Sequence, residues 1–128
     1  MVEDKGEVPG DLRYTQRHEW IRLEGERITV GITDFAQRSL TDVVYVELPS
    51  VGKRVRQGDE LAVMESVKSV SEVYAPCGGV VVEVNSELEN KPEMVNEDPY
   101  HRGWIAVLQL DNPAEVDDLL TPEAYEAL

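Results

Sequence analysis

The sequence is short of the groups that most enzyme chemistry requires. It contains one cysteine, Cys77, so no internal disulfide and no cysteine-rich metal site can form. Dithiol chemistry would have to arrive on a cofactor, and Cys77 reads as a small buried apolar residue beside a turn. The two histidines, His18 and His101, are solitary, without HxH or HExxH spacing. His18 falls in what reads as a strand and His101 in a polar loop. There is no GxGxxG, no P-loop and no Ser/His/Asp spacing. No apolar run approaches the roughly 20 residues of a membrane-spanning helix. The start, MVEDKGEVPG, is acidic, unlike a secretion signal or an Arg-rich transit peptide, so a cytoplasmic protein is expected. Basic residues are also scarce: 12 Lys and Arg stand against 26 Asp and Glu, a net charge of −14. That balance argues against nucleic acid and anionic membranes as partners and suits docking on basic surfaces. Carboxylates are plentiful, yet none pair off in a way that marks acid–base catalysis.

What the 128 residues do contain is β-structure in quantity. The length suits one domain with a single core, spanning 1–128, with 1–13 polar and loose. HEWIRL and RITVGIT, joined through Glu24-Gly25-Glu26, alternate as a hairpin. DFAQRSL follows as a short helix, with Asp34 and Gln37 spaced as a capping box. DVVYVELP, LAVMES, VSEVY, VVVEVN and WIAVLQL read as strands, with Gly52, Gly58 and Gly78-Gly79 at turns. Residues 85–103 form a long connection with one helical turn. Thr121-Pro122 opens a closing helix. The expected fold is mainly β: a flattened barrel or sandwich with a few short peripheral helices, one of them C-terminal.

One stretch stands out. ESVKSVSE, Glu65 to Glu72, is a near palindrome centred on Lys68-Ser69. A two-residue loop at that centre sets Val67 against Val70, Ser66 against Ser71, Glu65 against Glu72 and Met64 against Val73. Lys-Ser is poor for the positive φ of such loops, and facing glutamates repel. A lysine at a solvated tip is in itself commonplace.

The motif around it narrows the reading. VGKRVRQGDELAVMESVKSV resembles the biotinyl/lipoyl swinging-arm domains, in which a hairpin-tip lysine is modified on its side-chain nitrogen. YTQRHEWI, VGITDFAQRSLTDVVYVELPSVG, ESVKSVSEVYAP and VNEDPY-HRGW together resemble the glycine cleavage H-protein family of lipoyl carriers. A biotin carrier would show Met-Lys-Met where Val67 and Ser69 flank Lys68. Thr41 and His101 stand where glycine is common, and Ala75 and Cys77 where Ser or Val is frequent.

The resemblance implies a lipoyl (hammerhead) fold and lipoate in amide linkage on Lys68. It implies no catalysis by the chain itself. In the implied cycle, a pyridoxal-phosphate (PLP)-dependent glycine decarboxylase loads an aminomethyl group onto the arm. A tetrahydrofolate-dependent aminomethyltransferase removes it, and dihydrolipoamide dehydrogenase reoxidises the dithiol; a lipoate-attaching enzyme installs the group. Glu65 and Glu72 are candidates for recognition by the attaching enzyme or a partner, or are solvated strand residues. Gly52 and Gly79 serve turns or close strand approach, with a secondary share in positioning the tip. Three other readings stay open: a relay of lipoate to other carriers, an unmodified interaction domain, and a free-standing enzyme, which the missing constellation disfavours.

Overall fold

The computed structural model describes residues 2–128. The chain runs β1 (Arg13–Tyr14), β2 (Glu19–Glu24), β3 (Arg27–Ile32), α1 (Asp34–Leu40), β4 (Val43–Glu47), β5 (Arg54–Val55), β6 (Glu60–Ser66), β7 (Val70–Tyr74), β8 (Gly79–Val84), α2 (Glu87–Asn90), α3 (Met94–Glu97) and β9 (Ala106–Leu110). A 3₁₀ turn (Pro113–Asp118) and α4 (Pro122–Glu126) close it. The strands form two antiparallel sheets. One has six strands in the order β1-β2-β3-β9-β8-β5, the other three in the order β4-β6-β7. The fold is mainly β, as expected, and of the two forms anticipated it is the sandwich, with no closed barrel.

The alternation seen in the sequence becomes the core between the sheets. Ile32 and Ala106 from the larger sheet meet Val43, Val46, Ala62, Met64 and Val73 from the smaller. A second cluster joins Ile21, Ile28, Val30, Val81 and Leu108 to Leu61 and Ala75. Cys77 lies in that cluster, fully buried, where burial pushes its thiol up to about 12. A third cluster is aromatic: Tyr14, Trp20, Tyr100 and Tyr125, with Leu12. Trp104, unlike Trp20, is only partly buried against this cluster.

Several local expectations are refined. The cap of α1 is Thr33, whose Oγ1 accepts from the Ala36 N–H at 3.3 Å; Asp34 sits one residue inside and accepts from the Gln37 amide instead. His18 is not a strand residue. It occupies the bend before β2 with φ 69°, a conformation uncommon outside glycine. The 85–103 connection contains two short helices, because Leu88, Met94 and Val95 each find burial in the first cluster.

Of the segment expected to be loose, Met1 lies outside the described residues, and the rest has no helix or strand before Arg13. It is nonetheless held down. The buried Lys5 ammonium donates to the Leu128 and Glu3 carbonyls, Tyr14 O–H to the Pro9 carbonyl, and Tyr100 O–H to the Glu7 carbonyl. Those acceptors are backbone groups, which a polar composition does not reveal.

Candidate functional site

The β6–β7 hairpin carries Lys68 at its tip, but its register departs from the palindrome. Glu65 pairs with Val70, Met64 with Ser71, Val63 with Glu72 and Ala62 with Val73. The loop residues are therefore Val67 and Lys68, bracketed by Ser66 and Ser69, and the Ser66 N–H donates to the Ser69 carbonyl at 2.8 Å. The two-residue shift leaves each side chain on its expected face, since the pleat repeats every two residues. It also moves Glu65 and Glu72 from directly opposite to diagonal positions, which weakens the repulsion implied by the mirror pairing.

The loop needs no positive φ; among the described non-glycine residues only His18 and Thr41 have one. A serine supplies what glycine would have supplied. Ser66 Oγ accepts from the Lys68 N–H at 3.2 Å and the Ser69 N–H at 3.1 Å, a side-chain turn of the kind serine forms well. From the neighbouring strand end, the Asp42 carbonyl accepts from the Val67 N–H at 3.0 Å. Asp42 follows Thr41, whose φ of 61° and ψ of −151° fall in a region nearly reserved for glycine. Asn96 pins this corner, donating to the Thr41 carbonyl at 2.7 Å and accepting from the Val43 N–H at 2.9 Å. The tip backbone is thus fixed from two sides. The lysine side chain is exposed, and among the described residues its ammonium has no ion-pair or hydrogen-bond partner.

Beside the tip lies a cleft of about 290 Å³. Ser69 to Val73 of the lysine hairpin form one wall, and Ile32, Phe35, Leu40 and Met64 make the interior apolar. The far wall is Arg17, His18 and Glu19. Glu19 is buried, 3% exposed, and accepts from Thr15 O–H and from the Tyr74 N–H. Burial raises its pKa above the usual carboxylate range, while those two hydrogen bonds and Arg17 oppose the shift. Arg17 lies over the Tyr74 ring at 4.1 Å. His18 lies tilted against Phe35 with centroids 4.3 Å apart and ring planes at 30°, and its Nδ1 is 2.7 Å from the Tyr125 hydroxyl. Burial, then Lys5, lowers the His18 pKa. An apolar trough ending in a buried carboxylate suits a flexible hydrocarbon chain with a cationic end.

Of the residues singled out from sequence, Glu65, Lys68 and Glu72 come together on one hairpin, and Glu72 also borders the cleft. Gly52 and Gly79 lie elsewhere, at the corner where β5 meets β8. Gly52, with φ +94°, donates its N–H to the Val81 carbonyl at 2.7 Å. A Cβ on Gly79 would collide with the Gln109 carbonyl oxygen. The residue that sequence reasoning passed over is Glu19. Its one signal is a charge at the head of a strand whose first three residues, Glu19, Trp20 and Ile21, are all buried.

The comparisons with known proteins agree with one another. The family model described as "Glycine cleavage H-protein" matches residues 12–128. The chain is 57% identical over 120 residues to a glycine cleavage system H protein from Symbiobacterium thermophilum, covering 94% of each chain. It is 53% identical over 121 residues to one from Carboxydothermus hydrogenoformans, covering 94% of this chain and 93% of that one. Among solved structures it is similar to a glycine cleavage system H protein from Mycobacterium marinum. The TM-score is 0.84 at 40% identity, over 92% of this chain and 95% of the other.

Proposed function

The chain belongs to the glycine cleavage H-protein family, and we propose that Lys68 is its point of lipoate attachment. In this reading the protein is a cytoplasmic, non-catalytic carrier. It takes an aminomethyl group from a PLP-dependent glycine decarboxylase to a tetrahydrofolate-dependent aminomethyltransferase and is then reoxidised by dihydrolipoamide dehydrogenase. Among the described residues no helix is long and apolar enough to cross a membrane.

The observation that carries the proposal is an exposed, unpartnered amine on a backbone clamped by Ser66 and Asp42. An attaching enzyme needs one nitrogen held where it can meet an activated acyl carbon, and a rigid hairpin tip does that. Lys5 is a poor rival because its ammonium is buried and spent on two carbonyls. When bound, lipoate would supply the disulfide that Cys77 cannot. The chain's contribution is placement and shelter. Lysine plus lipoyl reaches on the order of 12–15 Å from the backbone, and the cleft begins at Ser69 and Val70, next to the attachment point. Phe35, Leu40, Met64 and Val70 would hold the hydrocarbon, and Glu19 would attract a cationic end.

The test is intact mass and peptide mapping after incubation with lipoate and a lipoate-attaching enzyme. One lipoyl group is expected, on Lys68 and not on Lys5, Lys53 or Lys91, and none on Lys68→Arg. An unmodified parent, or a group mapped to another lysine, overturns the proposal.

A further inference from the structure

We propose that the outer face of the three-stranded sheet around Lys68 is a docking surface whose occupant is an apolar depression rimmed by Arg and Lys side chains on a partner enzyme. This deepens the carrier reading above and rests on it for the identity of the partners.

Among the described residues eight large hydrophobics are exposed, and four of them surround the tip: Val44 at 53%, Tyr45 at 49%, Val67 at 68% and Val70 at 61%. Their grouping has a structural cause. The pairing of β4 with β6 slips between Val43 and Tyr45, and this bulge turns two successive large residues, Val44 and Tyr45, outward. In a regular strand one of them would face the core. Bulges that re-aim side chains are characteristic of functional edges. Tyr45 then stands opposite Glu65, and Glu65 opposite Val70, so the three cross the sheet in one row. The next row is Glu47, Val63 and Glu72. Asp42, at the corner that holds the tip, is exposed as well.

The apolar patch therefore has three carboxylates at its margin, Asp42, Glu47 and Glu72, and a fourth, Glu65, between Tyr45 and Val70. Lys68 is the one cation in β4, β6, β7 and the loop between the last two, and an amide on its nitrogen would remove that charge too. An exposed tyrosine amid aliphatic residues is the composition of an interface anchor. The acidic margin fixes the chemistry of its partner, since like charge opposes approach while a basic rim steers it. A second copy, itself at −14, is disfavoured by the same argument.

The experiment measures binding of the full-length chain, unlipoylated, to the decarboxylase and to the aminomethyltransferase of the same source, at low and high salt. Val44→Ser with Tyr45→Ser should weaken binding to at least one enzyme by about tenfold or more while keeping the salt dependence. Glu47→Gln with Glu65→Gln should flatten the salt dependence. Leu23→Ser, equally exposed at 48% on the other sheet, should change nothing. If melting shows that the first pair perturbs folding, Val67→Ser with Val70→Ser probes the same patch. Binding of every patch variant at parental strength overturns the proposal, and so does a dimer of the parent at assay concentration that the Val44/Tyr45 pair abolishes. Because the binding arm uses unmodified protein, a failure of lipoylation detected by mass removes the carrier reading without deciding this one.

Discussion

The two ends of this sandwich spend their side chains in opposite ways. Around the chain termini the large aromatics are buried and nearly every polar tip is bonded. Trp20 donates to the Pro99 carbonyl at 2.9 Å, Tyr14 to Pro9 and Tyr100 to Glu7, and the Tyr125 hydroxyl joins His18 to Thr33 at 2.7 and 2.8 Å. Burial lifts the phenol pKa of all three tyrosines, that of Tyr125 to about 12. At the lysine hairpin the order is reversed. The backbone N–H groups of Ser66 to Ser69 are all bonded, while the side chains of Val67, Lys68 and Val70 are exposed. The aromatic end commits its side chains to packing and hydrogen bonds, and the lysine end holds its main chain while leaving its side chains bare.

Substitutions at the two ends should separate these roles. The largest expected effect is at the aromatic end. Trp20→Ala removes a fully buried ring and should cost about 3–5 kcal/mol, read by urea denaturation; a loss below about 1 kcal/mol would mean that the third cluster is not a core. Tyr125→Phe keeps the ring and deletes the hydroxyl, leaving His18 and Thr33 without their common partner. A loss of about 1–3 kcal/mol is expected, and none at all would show that water replaces the bridge.

Glu19 should give a smaller effect whose size depends on pH. Its carboxyl binds a proton more tightly in the folded chain than in the unfolded one. Its contribution to stability therefore falls as pH rises from the unfolded carboxylate range through the raised folded value. Relative to Glu19→Gln, the parent should be favoured more at about pH 4 than at about pH 7. Denaturation of both proteins at the two pH values checks this, and a constant difference would refute the shift. The smallest effect belongs to the tip. Lys68→Arg should alter stability by less than about 0.5 kcal/mol while abolishing lipoylation; a marked fall in melting temperature would give Lys68 a structural role.

Periodicity carried most of the fold. The β2–β3 hairpin, β4, the lysine hairpin and β9 all lie where alternating apolar residues put them, because a strand with one buried face must alternate. Register was harder. The mirror around Lys68-Ser69 pointed to the wrong pairing because sequence symmetry says nothing of Ser66, whose hydroxyl lets Val67-Lys68 turn without glycine. The position of Lys68 at the tip was legible from its motif. The cleft beside it was not, since its walls come from β2, α1 and β7, far apart in the chain. Glu19 looked like any strand glutamate until Thr15 and Tyr74 closed around it.

The bond between the Val67 N–H and the Asp42 carbonyl carries a consequence for motion. It is the tip's tie to a neighbouring element outside its own hairpin, and it ends on a corner kept in an unfavourable backbone conformation at Thr41 by the Asn96 clasp. Local opening there exposes one identifiable amide without unfolding either sheet, so hydrogen exchange at Val67 reports on the tip alone, apart from the global equilibrium. The lysine's platform is thereby anchored through Asn96 of α3, an element outside the lysine hairpin.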